Sequence, residues 1–249
     1  MKIAEIISIV EAFAPLSLQE PWDNSGLQLG DPSAEATGAV LTLDVTHETI
    51  DLAVERGANL VISHHPLFMD PIRSLTPATK QGTTVLRAAA HGIAIYSSHT
   101  ATDSAPEGIN QWMADSLDLH NVKSLTPLGL GRVGDLPKPL PVPQFAALLK
   151  NIFSLPTIRT NTSPTSLVAR VALCGGSGTS LIPEATALGA DTLITGDVKY
   201  HTFDNPLQIF DIGHFESENQ FISLISTKIS EIFPIFALHK QNSNFITYL

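Results

Sequence analysis

Apolar runs of strand length alternate with amphipathic segments of helix length in the first part of this chain, and this alternation limits the folds open to it. The apolar runs lie at 39–46, 59–65 and 93–100, and segments with a helical pattern lie between them at 46–58 and 80–92. Strands joined in this way lie parallel, because each helix carries the chain back across the sheet. The sequence therefore predicts an α/β fold built on a parallel sheet.

The last third of the chain repeats part of this order. The segment ALGADTLITGD aligns with ERGANLVISHH, and QIFDIGHFESE aligns with IAIYSSHTATD. Two matched segments in the same order indicate two similar α/β lobes, whose strand ends can face one another. We predict a first lobe at 1–122, a proline-rich connecting segment at 123–166, and a second lobe at 167–249 that packs with the first as one unit.

Composition narrows the classes of function. The 249 residues carry a formal net charge of −10, which disfavours general binding to nucleic acids. A single cysteine, Cys174, rules out an intrachain disulfide and nearly excludes cysteine metal ligation. The N-terminal segment has a helical apolar period interrupted by Glu5 and Glu11, unlike a signal peptide, and no apolar run is long enough to span a membrane. We therefore expect a cytoplasmic protein with no membrane contact.

Histidines and carboxylates follow several of the predicted strands. These candidate site residues are His64, His65, His99, Asp103, His214 and Glu218. The carboxyl ends of parallel strands are where α/β sheets bind ligands. Imidazole and carboxylate suit Zn, Fe, Mn, Co or Ni, and the set exceeds what one tetrahedral ion needs. The pattern predicts two ions about 3.5–4 Å apart with open positions for water. The alternative is that His64 ends a strand and His65 lies on the surface.

Three further features can contact a ligand. The turn CGGSG, which contains Gly176 and Ser177, either binds phosphate through backbone N–H groups or is a tight turn with a Ser or Thr cap. Arg132 and Lys199 either bind an anion or pair with acidic neighbours. The segment WDNSGLQ is either a ligand-facing loop or a turn fixed by its Asp and Asn side chains.

Taken in order, these motifs resemble the NIF3-like family. They are VISHHPLF, SSHTATDSAPEGIN, GLGRVGDL, LCGGSG, LITGDVKYH and GHFESE, with WDNSGLQLG near the N-terminus, and they span residues 22–218. The resemblance implies the NIF3-like fold of two intertwined α/β lobes, a toroidal homohexamer, and two divalent metal ions per subunit. By the same resemblance, the metal ligands are expected to be His64, His65, Asp103, His214 and Glu218. His99 is then expected to lie just outside them as the catalytic proton-transfer residue.

The resemblance also implies a reaction. Members of the family are labelled GTP cyclohydrolase 1 type 2-like, which implies opening of the guanine imidazole ring of GTP and release of formate. Arg132, Lys199, or Gly176 and Ser177 of the CGGSG turn would then hold the triphosphate. The alternatives are hydrolysis of another nucleotide or phosphoester, and a metal-binding or protein-interaction hexamer without turnover.

The chain departs from the family pattern at two places. Asn219-Gln220 stands where an Arg-Gly pair often follows the GHxxxE segment. The C-terminal HKQNSNFITYL lacks the usual acidic, proline-containing tail. Neither departure touches the expected metal ligands, so the resemblance still implies an intact metal site.

Overall fold

The computed structural model describes residues 1–237 and divides the chain into two compact units. Of the described residues, the first unit contains 1–102 and 220–237, and the second contains Asp103–Asn219. Each unit has a sheet of its own with helices, so the predicted α/β class is confirmed. The divergent tail at 239–249 lies outside the described residues.

Five strands form the sheet of the first unit. In spatial order they are β1 (Gly26–Leu29), β4 (Ala94–Ser97), β3 (Leu60–Ser63), β2 (Ala39–Thr42) and β11 (Ile235–Ala237). Strands β4, β3 and β2 are mutually parallel, as predicted. Strand β11, which was not predicted, runs parallel to β2, and β1 runs antiparallel to β4. Every residue of β2, β3 and β4 is buried, which explains why these strands have continuous apolar sequences instead of alternating ones.

The helices of the first unit follow the predicted pattern. They are α1 (Ile3–Phe13), α2 (His47–Arg56), α3 (Lys80–Ala90) and α9 (Gln220–Ile229), with a short 3₁₀ turn at Leu16–Leu18. Both ends of α2 carry the expected signals. The Thr46 side chain accepts a hydrogen bond from the Thr49 N–H, and Gly57 ends the helix in the left-handed region.

Six strands form the sheet of the second unit. In spatial order they are β5 (His120–Ser124), β6 (Arg132–Pro141), β8 (Leu167–Leu173), β9 (Thr192–Thr195), β10 (Gln208–Asp211) and β7 (Arg159–Thr160). The helices are α4 (Thr100–Ser104), α5 (Ile109–Ser116), α6 (Val142–Phe153), α7 (Ile182–Ala187) and α8 (His214–Glu218), with 3₁₀ turns at Thr179–Leu181 and Tyr200–Phe203. The first residues of α4 belong to the first unit. Strands β8, β9 and β10 are parallel, which matches the repeat.

The predicted connecting segment at 123–166 differs from a linker. It contains β6, α6 and β7, which all belong to the second unit. Its prolines mark irregularities inside these elements, because the pairing of β6 with β8 shifts between Asp135 and Leu140, and α6 has a proline in its first turn.

The segment at 217–233, whose apolar period predicts a single helix, also differs. It is two helices, α8 and α9, and α9 and β11 return to the first unit. The unit boundaries differ from the predicted lobe boundaries at 122 and 167, because apolar periodicity predicts a helix without showing which sheet the helix covers. No helix within residues 1–237 has the length and apolar character that crossing a membrane requires.

Candidate metal centre

Three histidines that follow two neighbouring strands of the first unit lie close together. Strands β3 and β4 pair in parallel up to Ser63 and Ser97, so the residues that follow them emerge side by side. His64, His65 and His99 each offer a ring nitrogen, and these three atoms lie within 4.8 Å of one another. His64 is fully buried, and the other two are partly buried. The structure thus brings three of the predicted site residues together.

A protein acceptor faces the Nδ1 atom of each of these histidines. The contacts are His64 with the Ser98 carbonyl oxygen at 3.1 Å, His65 with Asp44 Oδ1 at 2.8 Å, and His99 with Asp23 Oδ1 at 2.9 Å. An acceptor at Nδ1 favours the tautomer that carries the proton there, and this leaves the lone pair of Nε2 to bind a cation. Metal-binding imidazoles in proteins are oriented in this way.

Asp23 does more than orient His99. Its buried carboxylate also accepts hydrogen bonds from the Ser25 hydroxyl and from the N–H and hydroxyl of Thr100. Burial acts to raise the pKa of Asp23, but the hydrogen bonds from His99 and Thr100 outweigh it and hold the pKa well below its usual range. The WDNSGLQ segment is therefore fixed by its Asp side chain, and it reaches the histidine cluster through that side chain.

The second unit places His214 and Glu218 at the two ends of α8, where residues four apart meet on one face. The Nε2 atom of His214 lies 3.0 Å from Glu218 Oε2, and its Nδ1 atom lies 2.7 Å from Asp197 Oδ2. Asp197 is the residue that the sequence repeat aligns with His65. Its carboxylate does for His214 what Asp44 does for His65.

The two predicted carboxylate ligands are both buried in the second unit. Asp103 lies on α4 and is 4% exposed, and Glu218 is 2% exposed. Carboxylates are rarely buried to this degree without strong partners, because removing the negative charge from water is costly. Imidazole nitrogens and buried carboxylates, in a chain with one cysteine, fit a borderline or hard divalent cation.

The CGGSG turn packs directly against two of the candidate site residues, Glu218 and His214. Gly176 has a φ of +65°, and a Cβ added there would lie 2.2 Å from Glu218 Oε1 and 3.4 Å from His214 Nε2. Only glycine fits at this position without displacing the carboxylate. The turn therefore shapes the space around Glu218, a role that the sequence did not reveal.

The backbone N–H groups of the same turn are engaged by the protein itself. Those of Gly175, Gly176 and Gly178 donate to the side chains of Asn110, Ser217 and Thr195. The helix that was expected to follow begins as a 3₁₀ turn at Thr179–Leu181. Phosphate binding at Gly176 and Ser177 stays a prediction, and the contacts in the structure are those of a tight turn.

The two candidate cations have different surroundings. Arg132 is buried, and all five of its N–H groups donate within the protein: to the carbonyl oxygens of Gly129, Gly131, Ser104 and Ala105, and to Gln111 Oε1. Burial lowers the pKa of Arg132. These contacts give Arg132 a structural role. Lys199 is exposed just before the 3₁₀ turn at Tyr200–Phe203. Anion binding by either residue stays a prediction.

Sequence reasoning missed the carboxylates that hold the histidines, namely Asp23, Asp44 and Asp197. The signal for two of them was present. Asp44 follows β2, the strand next to β3, and Asp197 occupies the aligned position in the repeat. A rule that searches each strand end for a carboxylate as well as a histidine would have found both.

A cavity of about 490 Å³ lies in the first unit beside His65. Asp44, Glu48 and Lys80 are among the residues that line it. A hydrogen bond from the Thr46 side chain, one from its own backbone and the nearby positive charges of His47 and Lys80 lower the pKa of Glu48. The volume suits a small molecule, and the wall offers both a hydrogen-bond acceptor and a cation.

Comparisons with known proteins agree on one family. The sequence profile of the family described as Duf34/NIF3 (NGG1p interacting factor 3) matches residues 1–245. A GTP cyclohydrolase 1 type 2 homolog of Clostridium perfringens is 34% identical over 241 residues, which cover 93% of this chain and 92% of that protein. Among solved structures, the Bacillus cereus protein related to NIF3 matches with a TM-score of 0.90 at 23% identity, covering 100% of this chain and 99% of that one. The Staphylococcus aureus hypothetical protein SA1388 matches with a TM-score of 0.89 at 26% identity and the same coverage.

Proposed function

This chain belongs to the Duf34/NIF3 family, and from that premise we propose that it is a metal-dependent hydrolase with two divalent cations per subunit. The proposed ligands are His64, His65, Asp103, His214 and Glu218, with His99 as the proton-transfer residue. One observation carries the proposal. Every one of the four histidines has an acceptor at Nδ1, and for three of them that acceptor is a carboxylate. Such pairs are typical of histidines that bind metals.

The residues divide the chemistry between them. Bound divalent ions would supply Lewis acidity that activates water for hydrolysis. Asp103 and Glu218 contribute negative charge that balances the cations. His99 keeps its proton on Nδ1 against Asp23, so its Nε2 can accept a proton and return it to a leaving group.

We propose a nucleotide as the substrate class and GTP as the first candidate. The proposal is supported by the name of the Clostridium perfringens relative and by the cavity beside His65, which has room for a small molecule. In the reaction, one water adds to C8 of guanine and opens the imidazole ring to a formamide. A second water hydrolyses that formamide and releases formate.

Metal binding is tested at the residue that orients a ligand. We expect Asp44→Ala to weaken metal binding about 10- to 100-fold, because His65 loses the acceptor that holds its tautomer. The control is Asp51→Ala, which removes an exposed carboxylate paired with Arg87 at the surface. Elemental analysis after purification without chelators should give about two ions per subunit for the wild-type chain and the control. Equal metal affinity in both variants would contradict the proposed centre.

Catalysis is tested separately. Metal-loaded protein is given GTP and formate is measured, with Asp103→Ala as the inactive control. A panel of other nucleotides and phosphoesters follows in the same assay, because the same ligands suit phosphoester hydrolysis. Two bound ions without turnover of any substrate would exclude the hydrolase and leave the non-catalytic metal-binding or interaction protein.

A further inference from the structure

The loop around Trp22 is rigidly held, while its indole ring is left in solvent. Asp23, the next residue, has a fully buried side chain that binds Ser25, His99 and Thr100. The Asn24 side chain donates to the carbonyl oxygen of Phe68 at 2.5 Å. The backbone at Trp22 is therefore fixed from its C-terminal side by hydrogen bonds to distant parts of the first unit.

Trp22 is 59% exposed as a residue, more than any other large hydrophobic residue except Tyr200 among residues 1–237. Tryptophan is normally well buried, because its large apolar surface is costly to hydrate. The ring lies 5.9 Å from the imidazole of His99, centroid to centroid, with the planes inclined at 76°. The rings of His64 and His65 lie 5.2 and 5.7 Å from that same imidazole. An exposed aromatic surface thus borders the histidine cluster.

We propose that Trp22 is a stacking platform for a planar heteroaromatic ligand, such as a nucleobase, whose ring edge then lies beside His99. A tryptophan on a backbone held by hydrogen bonds loses less conformational freedom on stacking than one on an unheld loop, and every nucleobase offers a π face to it. Stacking on Trp22 does not depend on the proposed function. Only the statement that the reacting atoms of the base lie beside His99 rests on it. This stacking adds a ligand-positioning residue, and it narrows the substrate class to molecules with a flat, unsaturated ring.

The experiment uses fluorescence, because the chain has two tryptophans. The second, Trp112, packs edge to face on Phe153, so Trp112→Phe keeps that contact and leaves Trp22 as the only indole. The emission of metal-loaded Trp112→Phe protein, excited at the red edge of the indole band, is recorded with GTP, with guanosine and with ribose 5-phosphate. We expect saturable quenching by the first two and none by ribose 5-phosphate, which has no base.

Calorimetry then measures guanosine affinity in the full chain. We expect Trp22→Ala to weaken binding about 5- to 150-fold, the range for loss of one base–aromatic stack, and Trp22→Phe to retain most of it. Quenching without formate release would contradict GTP hydrolysis and would still support stacking on Trp22. Turnover of GTP with unchanged guanosine affinity in Trp22→Ala would overturn the platform. A Trp22 emission that changes with protein concentration and not with any base would also overturn it, because another copy of the chain would then cover the ring.

Discussion

At the residue scale, Gly176 decides whether Glu218 can keep its position. An added methyl group would lie 2.2 Å from Glu218 Oε1, well inside contact distance, so the carboxylate must move in Gly176→Ala. The substitution also places alanine in the left-handed region, which costs about 1 kcal/mol. We expect metal affinity to fall at least tenfold, measured by competition with a chromophoric chelator.

The chain offers a matched control for that substitution. Gly189 has a φ of +76°, and a Cβ added there would meet nothing within 4 Å. Gly189→Ala therefore carries the same backbone strain without touching a ligand. The two variants should lose similar thermal stability, and only Gly176→Ala should lose metal. An equal metal affinity for both would show that the packing of Gly176 on Glu218 is unimportant.

The candidate ligand residues could be selected from the sequence, and the partners of their side chains could not. His64 and His65 follow an apolar strand directly, so their position at a sheet edge is a local property of the chain. Asp23 reaches His99 across a long stretch of sequence, through a loop whose fold depends on several hydrogen bonds at once. No local pattern encodes such a contact, and the same holds for the packing of Gly176 on Glu218.

At the element scale, the repeat is real but contains a shift. The sequence alignment places His99 on His214, yet β4 ends at Ser97 and β10 ends at Asp211, so the second copy has one more residue between strand and histidine. Gly213, with a φ of +85°, lies in this longer connection. The alignment therefore pairs the two histidines and places the strands one position out of register.

Arg132 joins three elements of the second unit. Its guanidinium connects the end of α4, through the Ser104 carbonyl, to Gln111 on α5 and to the start of β6. In Arg132→Lys a single ammonium replaces the planar fork and leaves buried carbonyl oxygens without donors, at about 1–3 kcal/mol each. We expect the free energy of unfolding to fall by about 2–4 kcal/mol, measured by urea denaturation.

The control for this change is Arg73→Lys, which alters an exposed arginine. It should leave the urea unfolding midpoint unchanged within error, since surface substitutions rarely change the free energy of unfolding by more than about 0.5 kcal/mol. The folded Arg132→Lys protein should still bind GTP, which carries the triphosphate, with the wild-type affinity. If instead its stability is unchanged and nucleotide affinity falls, Arg132 holds the phosphates, as the sequence first suggested.

At the scale of the whole molecule, the first unit is built from two segments that are far apart in the sequence. Among the described residues, the first unit consists of 1–102 and 220–237, and the second unit lies between these segments in the sequence. The sequence predicted most helices and strands, because each has its own apolar period. The sequence alone assigned 167–249 to the second lobe, whereas α9 lies in the first unit, because the apolar face of a helix fits any sheet that offers a matching surface.

Because α9 and β11 belong to the first unit, we expect truncation of the chain before α9 to destabilise that unit. Phe221, Ile225 and Ile229 on α9 are fully buried in the first unit, and β11 adds a parallel strand beside β2. Burying three such side chains contributes about 5–9 kcal/mol as an upper estimate, which is comparable to the whole stability of a domain of about 5–15 kcal/mol. A chain that ends at Asn219 should therefore lose the cooperative unfolding of its first unit.

The same truncation should abolish metal binding, because the ring of Phe221 lies 5.0 Å from the ring of His64 and packs against it. Two point variants of the full chain separate packing from chain length. Ile225→Ala, at a fully buried position, should cost about 2–5 kcal/mol, and Ile232→Ala, at a position 52% exposed, should cost less than about 0.5 kcal/mol. Calorimetry on all three proteins, with metal content measured on the same samples, checks the expectation. A chain ending at Asn219 that melts at the wild-type temperature with its metal intact would show that the first unit folds without its C-terminal part.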